Sequence, residues 1–226
     1  MAEPLIHTPI TYEVRRAPRA KRVRVAVEAD GRVVVLLPSR AAEREAAAAV
    51  RELRPWIERR VREAAAREQR MRRAPGTVPL LGDELRLVPE SGRTRVHRRD
   101  QALLVPQDAA LHAAALERWY RRTARAEIAP RLDAAVAALG CSYSALTIRN
   151  QRTRWGSCSA TGAMSFNWRL LLAPEPVLDY VVWHEACHLV HLDHSPRFWA
   201  LLEHHRPDYR APQRWLRANG AGLELR

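Results

Sequence analysis

The chain has 226 residues, of which 47% are hydrophobic, and it is therefore long enough to fold around a hydrophobic core. Its 38 lysine and arginine residues outnumber 25 acidic residues and give a net charge of +13, which is compatible with nonspecific binding of nucleic acid but comes without a basic recognition motif. The three cysteines form no C-x-x-C pair, which suits a reducing compartment. The chain has no apolar run near the ~18–20 residues of a membrane span and no signal-peptide pattern. These features predict a globular cytoplasmic protein without a membrane partner.

The N-terminal segment carries the pattern of a hairpin followed by two helices. Valines alternate with arginine and alanine over residues 23–27, which predicts a half-buried strand. Asp30-Gly31 is a strong hairpin turn signal and leads into a partner strand over residues 32–37. Two helices are predicted next, over residues 41–53 and 55–70.

Short strands resume after a linker rich in proline and glycine. Apolar runs separated by glycine-containing turns predict strands over residues 80–81, 85–88, 94–97 and 103–105. With the first hairpin they predict a small antiparallel sheet region that is interrupted by the two helices. Nothing in this region assembles catalytic chemistry, so we predict an N-terminal β-rich region with two helices over residues 1–107 and a catalytic domain over residues 108–226.

Helical patterns dominate the C-terminal half. An alanine-rich stretch over residues 108–139 predicts a long helix with a kink or break at Pro130, and Gly140 suits the position just after its last turn. The remaining predicted elements are a strand over residues 144–149 and a hairpin formed by residues 152–158 and 164–168. They are followed by a buried helix over residues 176–191 and by further helices over residues 196–220. This order of strands and helices predicts the α+β class.

The string His184-Glu185-Ala186-Cys187-His188 lies within the predicted buried helix. Residues four apart share one helix face, so both imidazoles can reach one cation at the ~2.1 Å that Zn–N bonds require. Glu185 is rotated by about 100° from His184, which leaves its carboxylate free to take a proton from water. Unliganded histidines and a glutamate would be costly inside a buried helix. The pattern therefore predicts one zinc ion per chain.

The candidates for a third ligand are His191, Asp193 and His194. His191 is seven residues from His184, which is about 10 Å along a straight helix at ~1.5 Å per residue, and one ion does not readily bridge that span. His194 needs a turn after about residue 191, and the residues ahead of a helix start at Pro196 leave room for it. We predict His194 as the third ligand, with Asp193 available to orient a ligand imidazole.

These residues belong to a wider pattern, in which His194-Ser195-Pro196-Arg197-Phe198-Trp199 follows the metal string and Arg154-Trp155-Gly156-Ser157-Cys158 precedes it. The pattern resembles the YgjP-like branch of SprT-like and Wss1-like zinc metallopeptidases, closely from about residue 109 to 219. The resemblance implies a zincin-like metallopeptidase domain that follows the N-terminal antiparallel β region. It also implies zinc ligands at His184, His188 and His194 and a catalytic glutamate at Glu185.

The predicted reaction is hydrolysis of a peptide bond in a peptide or protein substrate. A metal-activated water attacks the carbonyl carbon, while Glu185 acts as the general base and then protonates the leaving amine. Arg152, Arg154 and Tyr209 are candidates for contact with the substrate, and Arg152, Tyr209 and His205 for stabilising the developing oxyanion. The strand over residues 164–168 is a candidate edge for an extended peptide.

Two other functions stay open at this point. A metal-dependent nucleoside triphosphate pyrophosphohydrolase of the UTP type would use arginines to hold phosphates, but the chain has no glycine-rich phosphate loop. A DNA-associated protease of the SprT type is suggested by the resemblance and by the net charge of +13. The sequence leaves the physiological substrate and the oligomeric state open.

Overall fold

The computed structural model of the protein describes residues 9–151 and 153–225. The chain forms two compact units, residues 1–72 and residues 73–226. Both units combine helices with small sheets, which confirms the predicted α+β class. Each sheet combines one parallel pair of strands with antiparallel pairing, so the N-terminal β region that the sequence predicted as antiparallel is a mixed one. Alternating hydrophobicity indicates a strand but carries no information on the direction of its neighbour.

The first unit contains a three-stranded sheet with the strand order β1-β3-β2, formed by β1 (Tyr12–Arg16), β2 (Arg24–Val27) and β3 (Val33–Leu37). β2 and β3 form the predicted antiparallel hairpin. Gly31 adopts a φ of +85° in its turn, a conformation that glycine reaches without a steric penalty. β1 lies parallel to β3 along the other edge of that strand.

Two helices follow this sheet at the predicted places, α1 (Glu43–Glu52) and α2 (Arg54–Arg70). The side chain of Glu45 accepts a hydrogen bond from the backbone N–H of Ala42 at 3.0 Å, which satisfies a free donor at the start of α1. Apolar residues of both helices pack against β3. The buried core of this unit consists of Val33, Val35, Leu37, Ala46, Val50 and Ile57.

The second unit begins with a four-stranded sheet in the order β4-β5-β7-β6, formed by β4 (Thr77–Leu80), β5 (Asp83–Glu90), β6 (His97–Arg99) and β7 (Ala102–Pro106). Tyr120 of helix α3 (His112–Leu139) donates its hydroxyl hydrogen to the carbonyl of Pro79. The N–H of Leu81 donates to the carbonyl of Leu171 at 2.8 Å. These bonds tie the sheet to the helices that follow it. The compact units therefore divide after residue 72, whereas the sequence placed the boundary between residues 107 and 108.

Helix α3 continues through Pro130, where the sequence predicted a kink or break. Ile128 and Leu132, on either side of the proline, are fully buried. Burial of this apolar face offsets the ~3 kcal/mol that proline costs inside a helix. Gly140 ends the helix with a φ of +66°, as predicted for the residue after the last turn.

A second sheet has the order β8-β10-β9, formed by β8 (Ala145–Arg149), β9 (Gly156–Cys158) and β10 (Ala163–Asn167). Three helices complete the unit: α4 (Glu175–Cys187), α5 (Pro196–His205) and α6 (Arg210–Asn219). α4 is central, because it contacts α3, α5, α6 and β9. Among the residues described, none of the helices has the length and hydrophobicity needed to cross a bilayer.

Candidate metal centre

The candidate metal centre begins on α4, the helix that carries His184 and Glu185. Leu178 and Val182 on this helix are fully buried, which holds its C-terminal end within the unit. The rings of His184 and His188 lie one helical turn apart, with centroids separated by 5.0 Å. Only 7% of Glu185 and 8% of His188 is exposed. Two histidines and a carboxyl group thus share a largely dry environment, where each needs a compensating partner.

α4 ends at Cys187, whereas the sequence predicted a helix to residue 191. The N–H groups of His188, Leu189 and Val190 bond to carbonyl oxygens three residues back, at 3.0–3.2 Å. Such bonds tighten the last turn of a helix and redirect the chain. Residues 191–195 then lead into α5, and this early turn brings His194 back beside α4.

A backbone carbonyl fixes the ring of His188. Its Nδ1 donates a hydrogen bond to the carbonyl of His191 at 2.9 Å, which leaves Nε2 as the atom with a free lone pair. Asp193, which the sequence offered for orienting an imidazole, instead accepts a hydrogen bond from the backbone N–H of Ser195 at 3.3 Å, at the start of α5. His191 contributes its backbone to the centre, and its side chain is not part of the group of converging imidazoles.

The three histidines His184, His188 and His194 converge on one point. One nitrogen from each ring lies within 4.8 Å of the other two. Nε2 of His184 lies 3.0 Å from Nε2 of His194, and two nitrogens that each bind a tetrahedral zinc ion at ~2.1 Å are about 3.4 Å apart. The ring centroid of His194 is 5.0 Å from that of His184 and 4.6 Å from that of His188. The donor set and its spacing therefore fit a zinc ion.

Phe198 of α5 closes one side of this triangle of imidazoles. Its ring centroid lies 4.9 Å from that of His184, 4.5 Å from that of His188 and 4.9 Å from that of His194. The side chain is fully buried. An apolar ring in this place excludes water from one side of the centre and restricts the rotation of all three imidazoles. The sequence contains Phe198 in the motif that begins at His194, but hydrophobicity does not show which neighbours a buried aromatic residue contacts.

Burial keeps the imidazoles of His184 and His188 neutral. The pKa of His184 is lowered to about 3, mainly by burial and to a smaller extent by the charges of His188 and His194. Burial also lowers the pKa of His188, against the opposing effect of its hydrogen bond to the carbonyl of His191. Nδ1 of His184 is buried and has no hydrogen-bond partner in the part of the chain that the structure describes. Both rings are thus in the neutral form that offers a lone pair to a metal ion near pH 7.

The side chain of Glu185 lies against Gly156, the first residue of β9. Burial raises the pKa of its carboxyl group to about 7, and the positive charge of Arg154 opposes that shift. A carboxyl group that titrates near neutrality can both accept and return a proton. The hydrogen bonds of the described residues include none to this carboxylate.

The residues predicted to contact substrate have different surroundings. Arg152 lies outside the described residues. Arg154 is exposed, and its backbone carbonyl accepts a hydrogen bond from Nδ2 of Asn167 at 3.2 Å. Tyr209 is buried, and its ring stacks on that of Trp199 with a centroid distance of 5.7 Å.

His205, a candidate oxyanion donor, stacks on Trp183 with a centroid distance of 4.8 Å and makes no ring contact with the three histidines. The strand over residues 164–168 was predicted to offer an edge to a peptide. In the structure β10 covers Ala163–Asn167 and lies between β8 and β9, so both of its edges are paired and this expectation was wrong. Strand order depends on contacts between distant segments, which the alternation of residues along one strand does not show. Of the two outer strands, β9 is the one that contacts α4.

Three converging imidazoles beside a buried carboxyl group define the kind of site that metal-dependent hydrolases use. The family model of the YgjP-like metallopeptidase domain matches residues 21–219, and the chain belongs to this family. No curated protein matches the chain, and no solved structure matches it. Membership confirms the resemblance seen in the sequence and makes the chain a metallopeptidase at the level of the family.

Proposed function

We propose that this protein is a zinc-dependent peptidase in which His184, His188 and His194 hold one zinc ion and Glu185 is the general base. The observation that carries the proposal is the convergence of three imidazole nitrogens within 4.8 Å of one another, next to the end of the helix that carries His184 and the buried carboxyl group of Glu185. Family membership supports peptide or protein as the substrate class.

The choice of zinc follows from the chemistry of the donors. Neutral imidazoles suit zinc, and three of them leave a fourth position open for catalysis. The hydrogen bond from Nδ1 of His188 to the carbonyl of His191, at 2.9 Å, directs Nε2 toward the other two rings. Burial supports the same role for His184, because it lowers the pKa of that imidazole and removes competition from protons at neutral pH.

When bound, a zinc ion supplies the positive charge that lowers the pKa of a water molecule and polarises a substrate carbonyl group. Glu185 accepts a proton from the attacking water at its carboxylate. The same carboxyl group then returns the proton to the amine that leaves. Its pKa of about 7, raised by burial, suits both halves of this exchange. Phe198 excludes water on the buried side of the three imidazoles.

The open edge of β9 is our candidate for substrate alignment. β9 pairs with β10 on one side and with no other strand among the described residues. An extended peptide that bonds to this edge runs beside Glu185, because β9 packs on α4. We propose that the exposed Arg154, at the entry to β9, contacts the substrate. Tyr209 supports the centre through its stacking on Trp199, whose ring in turn stacks on that of His194 at a centroid distance of 5.6 Å.

Glu185→Gln is the variant that tests this function. Glutamine keeps the shape of the side chain but cannot accept the proton, so we expect zinc-loaded wild type to cleave fluorescein-labelled casein and the variant to lose at least about a hundredfold in kcat. Zinc content should be unchanged. The same pair of proteins is assayed with UTP and, for casein, with and without DNA.

Each outcome of these assays is decisive. Hydrolysis of UTP that depends on Glu185, without cleavage of casein, would replace the peptidase proposal with a phosphoanhydride hydrolase. Cleavage of casein only in the presence of DNA would favour a DNA-associated protease. Full peptidase activity in Glu185→Gln would reject Glu185 as the base.

A further inference from the structure

The side chain of Glu185 lies directly on the backbone of Gly156, the first residue of β9. A methyl group attached to the α carbon of Gly156 would lie 2.5 Å from Cγ, 2.6 Å from Oε1 and 2.8 Å from Cδ of Glu185. Carbon atoms in favourable contact are about 3.5–4.0 Å apart. Any side chain at Gly156 therefore overlaps the place that the carboxylate now occupies.

The backbone conformation does not require a glycine at this position. Gly156 is not among the glycines with positive φ, and it pairs with Phe166 as an ordinary strand residue. Its lack of a side chain instead creates the space that Glu185 fills. No hydrogen bond to the carboxylate is found among the described residues, and the close contact with Gly156 limits the rotation of the Glu185 side chain.

The start of β9 is held in place by its neighbours, so the backbone of Gly156 is restrained from moving away from Glu185. The carbonyl of Trp155 accepts a hydrogen bond from the backbone N–H of Asn167 at 2.8 Å. The indole of Trp155 lies on the backbone of Gly220, where an added methyl group would be 3.0 Å from Cζ2 of the ring. The backbone at Trp155 and Gly156 is thus fixed by contacts with β10 and with the end of α6.

We propose that Gly156 is a positioning residue for the general base, because its bare backbone fixes the carboxylate of Glu185 in the place from which it exchanges a proton with water. This inference rests on the proposed function of Glu185. It assigns separate tasks to neighbours in one sequence motif: Trp155 anchors the strand, and Gly156 receives the carboxylate.

The test compares zinc-loaded wild type, Gly156→Ala and Ser165→Ala. We expect Gly156→Ala to keep its zinc, its cooperative unfolding and its KM for casein, but to lose about a hundredfold in kcat, as expected for a displacement of about 1 Å at a reacting group. Ser165→Ala is the matched control. It removes the hydrogen bond of 2.8 Å between the hydroxyls of Ser165 on β10 and Ser157 on β9 without adding an atom near Glu185. Its kcat should stay close to that of wild type.

Two further measurements separate positioning from a general structural role. The double variant Gly156→Ala/Glu185→Gln should be no less active than Glu185→Gln alone, because the effect of Gly156 passes through Glu185. Crystal structures of zinc-loaded wild type and Gly156→Ala should show the carboxylate displaced by about 1 Å or more, with the three histidines in place.

The outcomes distinguish this inference from the proposed function. Wild type that cleaves no casein, together with a displaced carboxylate in Gly156→Ala, would remove the peptidase proposal and keep the positional role of Gly156. An active wild type with an equally active Gly156→Ala would overturn the inference. Loss of zinc or of cooperative unfolding in Gly156→Ala would also overturn it, since the proposed role is confined to Glu185.

Discussion

Burial changes the protonation of two neighbouring residues in opposite ways. Glu185 is a carboxylic acid, and burial raises its pKa to about 7 because the charged form loses its hydration. His184 is a base, and the same loss of hydration lowers its pKa to about 3. Near neutral pH one residue offers a lone pair to a cation and the other titrates. Each state matches the role that the residue has in the proposed reaction.

These shifts predict how the stability of the metal-free protein varies with pH. Between its ordinary pKa of 4.5 and about 7, Glu185 holds a proton in the folded state that it has released in the unfolded state. The free energy of unfolding therefore falls as pH rises through this range, by up to ~1.4 kcal/mol per pH unit. His184 acts oppositely, because between about 3 and 6.5 the unfolded state binds the extra proton, so stability is lost as pH falls through that range.

Comparison with Glu185→Gln isolates the contribution of Glu185, since His184 is common to both proteins. Urea unfolding of zinc-free protein should give similar stabilities at pH 4.5, and at pH 8 the variant should be more stable by up to about 3 kcal/mol. An equal pH dependence of the two proteins would show that Glu185 is not buried in a raised-pKa state.

At the scale of residues, the sequence predicted the side chains of the site but not the backbone groups that contact them. The spacing of His184 and His188 follows from helical geometry and needs no tertiary information. The carbonyl of His191 and the bare backbone of Gly156 reach their partners only through the early end of α4 and the docking of β9. A glycine in a motif indicates a constraint, but the sequence does not say whether that constraint is a turn or a close contact.

At the scale of elements, a buried hydrogen bond ties β4 to α3. The hydroxyl of Tyr120 donates to the carbonyl of Pro79, and the tyrosine is fully buried. Tyr120→Phe removes this buried hydrogen bond, so we expect the variant to lose about 1–3 kcal/mol of unfolding free energy while keeping its zinc. Chemical denaturation measures the loss.

Tyr143→Phe provides the matched comparison. Tyr143 donates to Asp133 at 2.8 Å in an exposed setting, where water can replace the lost bond, and its removal should change stability little. Equal effects of the two substitutions would mean that the bond between β4 and α3 is not a buried structural link.

Local patterns in the sequence predicted most helices and hairpins. They did not predict strand order or helix ends that depend on contacts between distant segments. The hairpin of β2 and β3 follows from residues that are neighbours in the chain. The central place of β10 depends on its pairing with β8, and β9 lies between these two strands in the sequence. Pro130 predicted a kink or break in α3, and the helix continues through it because the residues on either side are buried. Local signals predict elements, and tertiary burial corrects their ends and their order.

At the scale of the whole molecule, the family was easier to predict than the organisation of the chain. Three motifs in the C-terminal half carried the resemblance, and the family model matches residues 21–219, which reach into the first compact unit. The division after residue 72 depends on bonds such as that between Leu81 and Leu171, which no local pattern reveals. The net charge of +13 leaves a role for DNA as a prediction, to be decided by the casein assay with added DNA.

The central claim is that three imidazoles hold one zinc ion, and zinc analysis of purified wild type, His194→Ala and His191→Ala tests it most directly. His191→Ala is the control, because alanine keeps the backbone carbonyl that accepts the hydrogen bond from His188. We predict one zinc per chain in wild type and in His191→Ala, and loss of stoichiometric zinc in His194→Ala with its helical content preserved. Full zinc occupancy in His194→Ala, or its loss in His191→Ala alone, would contradict the account.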